Sequence, residues 1–241
     1  MNYPPRTTYR SLLALLLLLI SLQPGADEVK PFNAEYHLYR GDNHIGNTRL
    51  QLQYNNGIWT WYSETRPVGF YRLFTNKNPF AETRMRPASQ TLRLSQQRIG
   101  DDPQQAAEEK TWFDQQSGLI FYSKKDKNRQ LEMPADVYDY HSIHLLHQHM
   151  AQAGLTQKDI IFYKNGNLVD SQIRLDRQLE LIREGSRFKV DRLTQSFDGS
   201  SKKMIYYYQK DSLAPLKIEQ LNPGKSDHVM WRIALNRQPA S

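Results

Sequence analysis

The sequence predicts a mainly β fold, an antiparallel, β-barrel-like single domain with one covering α-helix. Three observations carry that expectation. Apolar and β-prone residues come in short runs at regular spacing along most of the chain, the pattern of a sandwich or barrel. Turn signals separate the runs, the strongest being Asn55-Asn56-Gly57 and Asn165-Gly166, where Asn and Gly accept the positive φ of a tight hairpin. Only one stretch, 139–153, is long, mixed in character and free of Gly and Pro.

The chain opens with a different kind of segment. Arg6 and Arg10 precede an unbroken apolar run of nine residues, 12–20, and Ser21-Leu22-Gln23-Pro24-Gly25-Ala26 follows. A short positive region, a greasy core and a small-residue exit make up a secretory signal. A membrane-spanning helix needs about 20 apolar residues, so the run reads as a removable leader with cleavage after Ala26. The expected mature domain is 27–241, exported to the periplasm and without a permanent membrane span. The chain has no Cys, which excludes disulfides, thiolate metal sites, Cys nucleophiles and a lipidated Cys anchor.

The predicted strands begin with 32–40 and 44–54, followed by 58–66, in which Trp59 and Trp61 share a face. Next come 81–86, 91–99, 110–113 and 119–123. After residue 155 the candidates are 159–163, 168–175, 178–183, 187–195, 202–209, 213–221 and 229–235. The segment 101–109 is polar, contains Pro103 and reads as an exposed loop, with Glu108 and Glu109 solvated. In the segment 139–153, Asp139 is placed to cap a helix and Gly154 to end it. Ile143, Leu146 and Met150 fall at helical spacing and should face the sheet, leaving His141 and His147 turned to water.

Candidate chemistry is sparse. His141, His144, His147 and His149 crowd into nine residues. Three of them follow i, i+3, i+6, which drifts about 60° around a helix and lacks the H-E-x-x-H arrangement of helical metal sites. No metal ligand is therefore assigned. Ser142 lies between His141 and His144, but no G-x-S-x-G elbow is present and helix neighbours do not supply triad geometry. No catalytic residue and no cofactor is assigned. Glu35, Glu64, Glu82, Glu180 and Glu219 are strand carboxylates that a glycosidase-like hydrolase would need in a facing pair. The formal charge of +7 is spread along the chain, the pattern of a solvated surface rather than a nucleic-acid site. Aromatics are abundant, with 14 Tyr, 9 Phe and 4 Trp, and a barrel lined by aromatic and polar groups can hold one ligand. Trp59, Trp61, Glu82 and Tyr207 are the candidate ligand-binding residues.

A set of short motifs runs in order from Phe32 to Leu235. Tyr36 precedes Ile45-Gly46. Trp61-Tyr62-Ser63 comes with Thr65 and Gly69, then Pro79-Phe80-Ala81-Glu82-Thr83. Met133-Pro134 leads into Asp139-x-x-Ser142. Glu180-Leu181 is followed by Gly185 and Phe188, and the series closes with Tyr207, Asp211, Pro215, Leu216, Ile218 and Glu219. In this order they resemble the DUF3108 family of exported bacterial proteins. Two departures stand out: Tyr207 occupies a usual Trp position, and Glu180-Leu181 lacks the family's spacer residue. The resemblance implies a periplasmic antiparallel barrel-like domain and no established activity. With export and the aromatics, the expectation is a non-enzymatic binding or carrier domain for an envelope lipid or glycan. The alternatives are a surface-acting envelope scaffold and a carboxylate-dependent hydrolase.

Overall fold

Fifteen strands follow one another along a single hydrogen-bonded sheet in the computed structural model, which describes residues 29–75, 77–88, 91–225 and 227–237. The expected leader and its cleavage site lie outside these residues. The strands are β1 Phe32–Arg40, β2 Asn43–Asn55, β3 Ile58–Pro67, β4 Phe80–Ala88, β5 Thr91–Gly100, β6 Glu109–Asp114, β7 Leu119–Lys124 and β8 Lys127–Glu132. They continue with β9 Val137–Tyr138, β10 Gln157–Lys164, β11 Asn167–Arg183, β12 Ser186–Phe197, β13 Lys203–Tyr208, β14 Lys217–Leu221 and β15 His228–Arg237. Among the described residues the helix α1 is Ile143–Gln152, and a 3-10 turn covers Gly69–Leu73.

The spatial order is β8 back to β1, then β15 back to β9. Two meanders are thus joined by the pairing of the first strand with the last, Phe32 opposite Arg237 and Arg40 opposite His228. All pairings are antiparallel except the short β9–β10 contact. The ladder does not close between β8 and β9. Side chains bridge that seam instead: Thr111 and Tyr163 share a hydroxyl–hydroxyl bond of 2.7 Å, Phe113 meets Tyr163 edge-on, and Arg129 donates to Asn167 at 2.8 Å.

Alternation sets the inner face. Along β3, Trp61 is buried while Tyr62 is half-buried, and along β4, Thr83 and Met85 are buried while Glu82 and Arg84 pair outside. The interior is filled by large side chains, Tyr36, Leu52, Trp61, Met85, Phe162 and Tyr208 among them, so burial of apolar area is the main stabilising term. The mainly β, barrel-like architecture, with one helix among the described residues, is as the sequence predicts.

Several boundaries differ for identifiable reasons. The helix starts at Ile143, because Tyr140, His141 and Ser142 form a turn before it. Glu109 opens β6 and is buried against Lys124 at 3.1 Å, rather than solvated in the 101–109 loop. The segment 213–221 is a strand only from Lys217 onward. Pro215 has no N–H for a ladder, and the Ala214 and Pro215 carbonyls accept from Arg232 and Tyr36 instead. The expected pair 168–175 and 178–183 is one strand, β11, with a register shift between Asp176 and Leu179. There Gln178 takes φ 55° and donates its N–H to Asp191. The edge strand β8 carries no apolar alternation, and β9 is only two residues long; neither gives a sequence signal.

Both hairpin glycines take positive φ, +77° at Gly57 and +73° at Gly166, each preceded by an Asn at positive φ. Their surroundings differ. A Cβ on Gly57 meets nothing within 4 Å, whereas one on Gly166 would sit 2.7 Å from ring atoms of Tyr122 across the seam. Gly57→Ala is expected to cost about 1 kcal/mol from backbone strain alone. Gly166→Ala should cost roughly 2–3 kcal/mol, because overpacking is added to the same strain. Urea midpoints of the two variants decide this, and equal losses would mean that Tyr122 yields freely.

Candidate functional site

The chain passes from the sheet edge at β9 into a turn that enters the barrel, and Asp139 anchors that turn. Its Oδ1 accepts from the N–H groups of His141 and Ser142 and from the Ser142 hydroxyl. Its Oδ2 accepts from Thr83 Oγ1 at 2.5 Å and Gln97 Nε2 at 2.7 Å. The Ser142 hydroxyl in turn accepts the Asp139 N–H at 2.8 Å, a reciprocal arrangement like that of a capping box. The expected capping role of Asp139 is therefore present, and it extends to two strands on the far side of the interior.

His141 continues the network. Its Nδ1 lies 2.8 Å from Thr83 Oγ1 and its Nε2 lies 3.0 Å from Ser63 Oγ. The Thr83 proton is committed to the carboxylate, which can only accept. His141 must therefore donate from Nδ1 and accept from Ser63 at Nε2. Burial pushes its pKa down to about 4, against an opposing pull from Asp139, so the ring is neutral near pH 7. Ser63 is half-buried and does not line the cleft described below.

Rings stack inward from there. Trp61 stacks with His141, with centroids 6.0 Å apart, and with His144, 4.7 Å away at 10°. His144 Nδ1 is 2.6 Å from the Tyr208 hydroxyl, and Tyr208 stacks on His147 at 4.0 Å and 8°. His144 and His147 are also held below the usual imidazole range, chiefly by burial. Both nitrogens of His147 are buried without a hydrogen bond, Asp191 being 3.5 Å from Nε2.

These positions correct one expectation. The apolar side of the helix is as predicted, with Ile143, Leu146 and Met150 buried. His141 and His147, expected to face water, are buried as well. The interior offers Thr83, Ser63, Trp61 and Tyr208 as partners for the rings, so this helix is enclosed on more than one side. His147→Phe is therefore expected to be neutral or stabilising by up to about 1 kcal/mol, because it keeps the ring stack and removes two unsatisfied nitrogens. A loss above roughly 2 kcal/mol in urea melts would show that the Asp191 contact outweighs that desolvation.

The opposite side of α1 forms a wall of a cleft of about 700 Å3. Trp59, Leu92, Leu94, Met133, Val137 and Leu145 give it an apolar lining, and Arg93, His149 and Lys158 supply polar groups. Lys158 is held by Asp136 at 3.3 Å and lies over the Tyr138 ring. Residues of β3, β4, β5, β9 and β10, of α1 and of the segment 133–136 converge on this space.

The four candidate ligand residues do not come together. Trp59 lines the cleft. Trp61 is two residues further along the same inner face and fully buried. Glu82 and Tyr207 point outward. Glu82 pairs with Arg84 and Arg98, and Tyr207 donates to Glu219 at 2.8 Å beside Lys217. Among the other strand carboxylates, Glu35 and Glu180 are exposed, and Glu64 is tied to Arg66 at 2.7 Å. None of these arrangements is a facing acid pair of the kind a glycosidase uses. Sequence reasoning missed Asp139 as a hub, Thr83 and Gln97 as its partners, and most of the cleft lining.

No protein-family model matches the chain, and no curated protein matches it. Among solved structures, the chain is similar to a β-barrel-like protein of unknown function, DUF1849, from Brucella abortus. The TM-score is 0.55 at 10% identity, over 88% of this chain and 99% of that one. At that identity the likeness shows the fold alone: this chain has the β-barrel-like fold of that protein.

Proposed function

We propose that this chain is an exported, DUF3108-like periplasmic domain that binds or carries an envelope lipid in the cleft beside α1. The observation that supports the reading is the cleft itself. A volume of about 700 Å3 is in the range of small-molecule sites, which are mostly apolar with a few placed polar groups. Trp59, Leu92, Leu94, Met133 and Leu145 suit an acyl or isoprenoid chain better than a glycan, which needs a denser set of hydrogen-bonding side chains. Arg93, exposed in this lining, is the basic group that meets an anionic head group, Lys158 being paired with Asp136.

Protein purified from the exported fraction of cells expressing the full chain is titrated with a fluorescent long-chain fatty acid and examined by native mass spectrometry. Saturable uptake is expected, competed by unlabelled lipid. Leu145→Arg and Leu92→Arg, which place a charge in the lining, should abolish uptake with melting temperatures close to the parent's. A parent that takes up no probe and carries no co-purified lipid overturns the proposal.

A further inference from the structure

The connection from β3 to β4 carries an apolar surface that the cleft does not use. In its 3-10 turn, Phe70 and Leu73 are 67% and 78% exposed, and the following Phe74 is 70% exposed. No residue of the turn is buried. The Phe70 and Phe74 rings meet edge to face at 4.7 Å, so the apolar atoms form one patch rather than scattered points. Isolated exposed apolar residues need no explanation, but a contiguous group marks an interaction surface.

Within the connecting segment itself the charged residues are all basic. Residues 65–81 include Arg66, Arg72 and Lys77 and no Asp or Glu. Arg66 and Lys77 are tethered at the two ends of the connection by Glu64 and Asp101, while Arg72 is exposed within the turn itself. Large apolar side chains beside Arg and Lys are the composition of segments that lie in a membrane interface. Size argues the same way. Three side chains of this kind present roughly 400 Å2, whereas a stable protein interface buries at least about 1,200 Å2 in total. A bilayer requires no shape complementarity and accepts a small protruding tip.

We propose that the Gly69–Leu73 turn docks the protein on an anionic lipid bilayer, with Phe70, Leu73 and Phe74 entering the acyl boundary and Arg72 meeting the head groups. The turn follows the end of β3, whereas Trp59 of the cleft lies at its start. Ten strand residues separate these ends by about 30 Å, so docking leaves the cleft free. The two proposals therefore fail independently.

The test is flotation of the exported protein with vesicles of phosphatidylglycerol and phosphatidylethanolamine, against vesicles of phosphatidylcholine. Binding to the anionic vesicles is expected, with partition at least about tenfold weaker in F70S/L73S/F74S and a few-fold weaker in Arg72→Gln. These side chains are exposed, so the variants should melt with the parent and take up the fatty-acid probe as it does. Because the chain has no Cys, Phe74→Cys carries a polarity-sensitive dye at one position, and its emission should shift to the blue on the anionic vesicles. A parent that stays soluble at every lipid concentration, a triple variant that binds as the parent does, or equal binding to phosphatidylcholine overturns the proposal.

Discussion

Asp139→Ala is expected to lower stability by about 4 kcal/mol or more, because it strands several buried donors at once. The carboxylate receives the N–H groups of His141 and Ser142, the hydroxyls of Ser142 and Thr83, and the Gln97 amide. Thr83 and Gln97 are buried, so water does not readily replace the lost acceptor. The change also frees Thr83 Oγ1 to bond differently with His141 Nδ1, loosening the entry of α1. Asp139→Asn keeps the volume but turns one acceptor into a donor that faces other donors, and should fall between parent and Ala. Urea denaturation of the three proteins is the measurement. A loss below about 1 kcal/mol for Ala would mean that the turn is held by packing and not by this carboxylate.

Acidification should weaken the fold well before most carboxylates titrate. His141, His144 and His147 are held below the usual imidazole range in the folded state, with burial the first cause at each. For a base with a depressed folded pKa, the unfolded chain binds the extra proton. The stabilisation is whole above the unfolded value near pH 6.5 and is lost as pH falls toward the folded value. His141, with a folded value of about 4, contributes a loss on the order of 3 kcal/mol by that pH. His144 and His147 act in the same direction. The charges facing these groups are Asp139 at His141, and Asp191 with Arg177 at His147, while the rings also disfavour one another's protonation at His144. Urea midpoints should therefore drop steadily between about pH 7 and pH 5. His147→Phe should flatten part of that slope. A midpoint constant over this range would show that the three rings are not kept neutral by burial.

Much of the sheet was legible because alternation survives wherever one face is buried. The strands around Trp61, Leu50 and Leu52 follow their predicted spans closely. β8 was invisible because its residues are largely exposed and carry no apolar rhythm. The site was harder to read. Glu82 and Thr83 are neighbours, yet one faces solvent and the other Asp139, and in a strand a one-residue shift exchanges the faces. Periodicity correctly picked Ile143, Leu146 and Met150, but assigned the histidines to water, since a helical pattern does not show that other walls surround the helix. Asp139 was readable as a local cap. Its bonds to Thr83 and Gln97 join residues 56 and 42 positions away and depend on how the sheet curls round the helix. Trp61, Ser63, Thr83, Asp139 and Ser142 belong to three separate short motifs in the sequence, and all five meet in or against one network.

The pairing of β1 with β15 governs how the chain reaches this state. Neighbouring strands elsewhere are mostly joined by short hairpins that close early and locally. The exceptional step brings Phe32 to Arg237, across nearly the whole domain. Long-range pairings of this kind are slow, because loop-closure entropy is lost before the contacts form. A chain emerging from its N-terminus exposes the apolar side of β1 to β8 until the ten residues of β15 are free. Truncation within β15 should therefore be felt on both meanders, and a permutant that links the two ends and opens between β8 and β9, which are not paired, should assemble its sheet sooner.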